Sequence, residues 1–146
     1  MSKEIERKFL VTDNSYKGIA TEKIEITQGY LNRDPDRTVR VRLWNGEAFL
    51  TVKTRNQGIV RNEWEYRIPA DDAREMLKAC EGILEKTRYI VPAENGLKWE
   101  VDEFHGRHEG LTVAEIELPS EDYEVGFPPF IGKEVSDDPR YYNSNL

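Results

Sequence analysis

From Glu4 to Glu117, charged and apolar residues alternate through one short segment after another, and charges two residues apart repeatedly carry the same sign. Glu4 and Glu6 flank Ile5, Arg40 and Arg42 flank Val41, Lys86 and Arg88 flank Thr87, Glu100 and Asp102 flank Val101, and Glu115 and Glu117 flank Ile116. A period of two belongs to the β-strand, where alternate side chains share a face. Each pair therefore stands about 6 to 7 Å apart along one face. Like charges so placed repel unless opposite charge lies between them. An antiparallel sheet turning its charged face to water accounts for any one such segment. Segregation of acids and bases onto different strands points instead to separate ligands for each.

The same patterning predicts strands near residues 2–11, 23–32, 37–45, 47–55, 59–68, 84–92, 97–105 and 111–118. Asn45-Gly46, Asn95-Gly96 and Glu109-Gly110 are turn signals between them, so the order reads as a mostly antiparallel meander. One helix is expected over 72–81, with Asp72 as cap, Glu75 three residues on, an apolar stripe of Ala73, Met76, Leu77 and Cys80, and Gly82 as stop. Shorter helices are expected near 14–17 and 139–143.

Eight antiparallel strands can close into a barrel, which removes exposed edges, with an interior wide enough for one small ligand. If the charged faces point inward, the lumen is lined by carboxylates that suit hard Mg²⁺ or Mn²⁺ ions and by Lys and Arg that suit phosphate oxygens. The apolar faces, with Trp44, Trp64 and Trp99, would then point outward and need cover from the helix and loops. The expected fold class is mainly β: a closed eight-stranded antiparallel barrel forming a tunnel, with a few peripheral helices.

Composition sets the outer limits. A chain of 146 residues is most simply one domain, residues 1–146. No apolar run is long enough to span a bilayer as a helix, and Met1-Ser2-Lys3-Glu4 lacks a secretory pattern. A lone Cys80 leaves no internal disulfide, so a cytoplasmic location is expected. A net charge of −7 argues against nucleic acid as partner. An apolar outer barrel face would suit a second copy, which makes a homodimer an expectation. His105 and His108 read as exposed turn residues, and Cys80 as core.

Glu4-x-Glu6-x-Lys8 resembles the N-terminal signature of the CYTH superfamily, the triphosphate tunnel metalloenzymes. That motif is short, but Gln28-Gly29-Tyr30-Leu31, Arg40-Val41-Arg42, Lys53, Glu63-Trp64-Glu65, Lys86-Thr87-Arg88, Glu100-Val101-Asp102, Glu115-Ile116-Glu117 and Gly132-Lys133-Glu134-Val135 follow in the family's order. The resemblance covers the whole chain and implies a tunnel that binds a triphosphate with divalent metal. It implies Glu4, Glu6 and Glu117 as ligands of a catalytic Mg²⁺ or Mn²⁺. Glu63, Glu65, Asp102 and Glu115 would complete that shell, hold a second metal or its waters, or orient the bases. Lys8, Arg40, Arg42, Lys53, Lys86 and Arg88 would grip the phosphates.

In the short bacterial tripolyphosphatases that the chain resembles, a tyrosine matching Tyr30 has a proton-accepting role. A phenol is a poor base at neutral pH unless its site lowers the pKa, and Tyr30 read from the strand pattern alone can equally be a packing aromatic. The implied activity is metal-dependent hydrolysis of the terminal phosphoanhydride of tripolyphosphate or another triphosphate, with Glu6, Lys8 and Tyr30 at the reacting end. A class IV adenylate cyclase or thiamine triphosphatase is the alternative enzyme, although the short turns leave little chain for a base or thiazole. A non-catalytic polyphosphate- or nucleotide-binding module is the alternative of another class. Such a binder would be expected to lose metal carboxylates, and all are present here.

Overall fold

The computed structural model describes residues 3–146; Ser2, at the start of the expected first strand, lies outside them. Among the described residues nine strands form: β1 (Lys3–Val11), β2 (Glu22–Asn32), β3 (Arg37–Trp44), β4 (Glu47–Thr54), β5 (Val60–Ile68), β6 (Glu81–Pro92), β7 (Lys98–Phe104), β8 (Thr112–Glu117) and β9 (Ile131–Glu134). One helix, α1 (Ala70–Lys78), joins β5 to β6. All pairings are antiparallel, in the order β5-β4-β3-β2-β6-β7-β8-β1, and β1 returns to β5 to close an eight-stranded barrel. The start of β1 pairs with β5, Glu4 opposite Arg61. Its middle pairs with β8, Glu6 opposite Glu117 and Lys8 opposite Glu115. Its end takes β9 alongside.

Tight connections let neighbouring strands pair at once. Asn45 and Gly46 have φ of 49° and 87°, the left-handed pair that a two-residue type I′ hairpin requires. Asn95 and Gly96 are also left-handed, and sit in a short 3₁₀ turn, Glu94–Gly96.

The apolar faces point outward and are covered. Ala73, Met76 and Leu77 of α1 pack on Val41, Ala48 and Leu50. A larger cluster on the outside of β1, β6, β7 and β8 joins Phe9, Val91, Trp99, Val101, Ala114 and Ile116, and is roofed by Tyr16, Leu118, Val125 and Phe130. Phe130 is fully buried and meets the Tyr16 ring edge-on at 5.7 Å. Trp64 and Tyr66 on β5 stay largely uncovered.

Several expectations are corrected. Trp44 lines the lumen, because it shares strand parity with Arg40 and Arg42. Around it Ile24, Ile26 and Ile90 make an apolar patch, so the lumen is not polar throughout. The helix starts earlier, directly after Pro69, and Asp72 lies in its first turn beside Asp71, where carboxylates favour the helix dipole. Cys80 falls beyond the helix and is only half-buried.

Gly82 belongs to the start of β6, not to a helix stop, and its φ of 63° coincides with an irregularity in the β2–β6 pairing. His105 is half-buried and hydrogen-bonded to Thr87 Oγ1 at 2.7 Å, and His108 packs edge-on to Phe104. β9 was not anticipated, and the expected short helices are 3₁₀ turns at Ser15–Gly18, Pro139–Tyr141 and Asn143–Asn145.

Truncating a fully buried aromatic typically removes about 3–5 kcal/mol. Phe130→Ala should lower stability by that order in urea denaturation. A change below about 1 kcal/mol would show that the segment around Phe130 is not part of the core.

Candidate active site

The lumen is a cavity of about 230 Å³. Glu4, Glu6 and Lys8 reach it from β1, Tyr30 from β2, Arg40 and Arg42 from β3, Lys53 from β4, and Glu63 and Glu65 from β5. Lys86 and Arg88 reach it from β6, and Glu115 and Glu117 from β8. Strand order sorts them: β8, β1 and β5 make a wall rich in carboxylates, while β4, β3 and β6 make a basic wall across from it. One expected site residue does not line the cavity. Asp102 lies beneath its surface, with 1% of its side chain exposed.

Asp102 anchors the basic wall. Arg88 donates to it twice, Nε to Oδ1 at 2.7 Å and Nη2 to Oδ2 at 2.9 Å, the fork geometry that fixes a guanidinium plane. Lys86 Nζ stands 2.8 Å from Asp102 Oδ2, and Arg88 Nη1 also donates to Glu100 at 3.0 Å. Burial alone would raise Asp102, but Arg88 and Lys86 together hold its carboxyl below the usual range. Burial pushes Lys86 down to about 7, with Arg88 and Arg42 adding to the fall despite Asp102. A buried ammonium so poised gains charge when an anion arrives.

The remaining bases are held more loosely. Lys53 Nζ bridges Glu4 and Glu63 at 3.1 and 3.0 Å. Arg40 Nη2 reaches Thr51 at 3.2 Å and Glu65 at 3.4 Å, and its Nε is buried without a hydrogen-bond partner. Such an orphan donor calls for an acceptor from elsewhere. Lys8 Nζ donates to the Tyr141 carbonyl at 3.0 Å, and Arg42 Nε to Gln28 Oε1 at 2.9 Å.

On the acidic wall, burial and the neighbouring Glu115 and Glu4 carboxylates hold Glu6 well above the usual carboxyl range, and it shares a side-chain hydrogen bond with Glu115. Burial raises Glu63 too, with Glu4 beside it, and Glu117 rises by burial and by Glu4, Glu63 and Glu100. Glu4 behaves oppositely. Burial works against it, yet Lys53 and Arg61 hold it at about 2. The donors are all oxygens, and several carboxyls crowd together there, which fits a hard divalent cation. Among the described residues no three acidic, Cys or His side chains already stand at coordinating distance, so cation uptake would need side-chain rotation.

The expected site set omitted Arg61, which lines the cavity 3.2 Å from Glu4 although it lies in the expected fifth strand and in phase with Glu63 and Glu65, so parity could have found it. Strand patterning did miss Asn143 and Ser144, which reach the lumen from the turn Asn143–Asn145, where no periodicity marks them.

The CYTH domain family model matches residues 2–142. The chain belongs to the CYTH domain family. It is 50% identical to an inorganic triphosphatase of Acetivibrio thermocellus over all of this chain and 94% of that protein. It is 37% identical to an inorganic triphosphatase of Nitrosomonas europaea, over 98% of this chain and 95% of that one. A solved inorganic triphosphatase structure superposes with a TM-score of 0.66 at 35% identity, covering 97% of this chain and 95% of the other. The closed barrel expected from charge phase is therefore the CYTH tunnel fold.

Removing one partner of a buried ion pair leaves the other uncompensated, at a cost of about 3–5 kcal/mol. Asp102→Ala in this CYTH domain should lose stability of that order, measured by thermal and urea unfolding. Unchanged stability would mean that Lys86 and Arg88 are held by other groups.

Proposed function

We propose that this CYTH domain, working as one unit, is an inorganic triphosphatase that hydrolyses a terminal phosphoanhydride of tripolyphosphate in its lumen. The observation that carries the reading is a basic wall facing a carboxylate wall across a single cavity. Phosphoryl transfer asks a protein mainly for positioning and charge neutralisation. Arg40, Arg42, Lys86 and Arg88, with Lys8 and Lys53, grip the phosphate chain, and the unpartnered Arg40 Nε supplies one ready donor.

Glu4, Glu6 and Glu117 would hold a divalent cation, Mg²⁺ or Mn²⁺, with Glu63, Glu65 and Glu115 around them. When bound, that ion supplies positive charge to the terminal phosphoryl oxygens and lowers the pKa of coordinated water. Asp102 orients Arg88 and Lys86 instead of joining the cation shell. Tyr30 lines the same space, near Arg42 and Arg61, and would take a proton at the reacting end. The cavity lies below the roughly 300–1,000 Å³ common for drug-sized ligands, which favours an inorganic chain over a nucleoside or thiamine triphosphate.

No helix among the described residues is long and apolar enough to cross a membrane. A cytoplasmic location fits the free Cys80 thiol, and a homodimer would use the uncovered Trp64 and Tyr66.

Incubation with tripolyphosphate, ATP and thiamine triphosphate, with Mg²⁺, Mn²⁺ or chelator, should release phosphate fastest from tripolyphosphate and only with metal. Binding of tripolyphosphate without phosphate release under either metal would sink the enzyme reading. Glu6→Ala should abolish turnover while the barrel stays folded by circular dichroism; full activity there would refute the metal assignment. A third test uses protons. At pH 8 Lys86, at about 7, is mostly neutral, and a polyanion beside it raises its pKa. Tripolyphosphate binding in chelator should therefore take up protons, read by calorimetry in two buffers of different ionisation enthalpy. Proton release on binding would contradict the role given to Lys86.

A further inference from the structure

Arg42 differs from most of its neighbours in the basic wall. Arg88 and Lys86 are tied to Asp102, Lys53 to Glu4 and Glu63, and Arg40 to Glu65. Among the described residues no carboxylate bonds to Arg42. Its hydrogen-bond partner is the neutral carboxamide of Gln28, which is fully buried. Its guanidinium lies 5.8 Å from the centre of the Trp44 ring, which also carries Arg88 at 5.5 Å. Burial together with Arg40 and Arg88 pushes Arg42 down to about 9, so its charge is present at neutral pH and is answered only weakly by protein.

The orientation of Gln28 is set by a chain of contacts. Lys86 Nζ donates to Asn143 Oδ1 at 2.8 Å, which makes that oxygen an acceptor facing the ammonium. Gln28 Nε2 donates to the same oxygen at 3.0 Å. With its amide nitrogen so committed, Gln28 must turn its carbonyl oxygen to Arg42 Nε. The bond holds the guanidinium by its Nε, and the two Nη groups, which have no protein hydrogen bond among the described residues, remain for a ligand.

Resting on the triphosphatase reading, we propose that Gln28 is a positioning residue for substrate. It fixes Arg42 without neutralising it, so that Arg42 meets the polyphosphate chain with undiminished charge through its Nη edge. A glutamate at 28 would keep the length and the acceptor but satisfy the charge that phosphate should satisfy. A methionine would keep the length and leave the charge, but release the hold.

The test is calorimetric binding of tripolyphosphate in chelator, together with steady-state kinetics with metal, on wild type, Gln28→Glu and Gln28→Met. Gln28→Glu should weaken binding about tenfold or more, the usual worth of one charge-assisted hydrogen bond. KM should rise with it, while kcat changes far less. Gln28→Met should weaken binding by a smaller factor, about threefold, on the scale of one neutral hydrogen bond.

Wild-type affinity in Gln28→Glu overturns the inference, as does a loss in Gln28→Met equal to that in Gln28→Glu, which would mark a role in shape alone. Should Gln28→Glu fail to fold, unchanged affinity in Gln28→Met overturns the positioning role. If wild type itself neither binds nor cleaves tripolyphosphate, the triphosphatase reading fails first, and the two failures are told apart.

Discussion

Asp102 accepts both arms of the Arg88 fork and the Lys86 ammonium where almost no water reaches. Buried charge in a small domain survives only when paired and hydrogen-bonded, and the rest of the lumen can be basic because this cluster is closed. Register is fixed with it. Arg88 stands directly opposite Asp102 across β6 and β7, so a one-residue slip would send Arg88 to the apolar outside and a Thr or Tyr inward. The same slip would undo the outer core, since Tyr89 and Val101 share the other face.

Compensation then runs out by degrees across the cavity. Near Asp102 every base has a carboxylate; at Arg42 the partner is a neutral amide, at Lys8 a backbone carbonyl, and at Arg40 one donor has no partner. On the opposite wall Glu6, Glu63 and Glu117 are pushed toward the protonated form by burial and by neighbouring carboxylates, Glu4 beside all three. Free of ligand, the protein thus holds two unmet demands of opposite sign, which on the proposed reading a polyphosphate and its cation would meet together. The pre-organised charges do not have to be gathered during the reaction, which is where an enzyme gains over water.

Much of this was legible in alternation. Glu4, Glu6, Arg40, Arg42, Lys53, Lys86, Arg88, Glu115 and Glu117 all lie where strand parity put them, because a closed barrel makes one face of every strand the lumen. Parity also contained the answer for Trp44, and hydrophobicity misled. A tryptophan in phase with two arginines takes its face from its position, not from its type. Asp102 shared the phase of the lumen residues but sits a layer below, since period two gives the face and not the depth. Contributions from beyond the strands, above all Asn143, left no pattern to read, and β9 is too short at Ile131–Glu134 to show one.

The N-terminal strand carries a further implication. β1 pairs in turn with β5, β8 and β9, so every partner of this strand lies far along the sequence. Contacts this distant in sequence must close large loops before any return in stability, a topology that folds slowly. Until then Glu4, Glu6 and Lys8 sit on an unpaired strand in water, with Ile5 and Phe9 exposed behind them. The strand that closes the tunnel thus presents an open edge to other chains until those distant partners are in place.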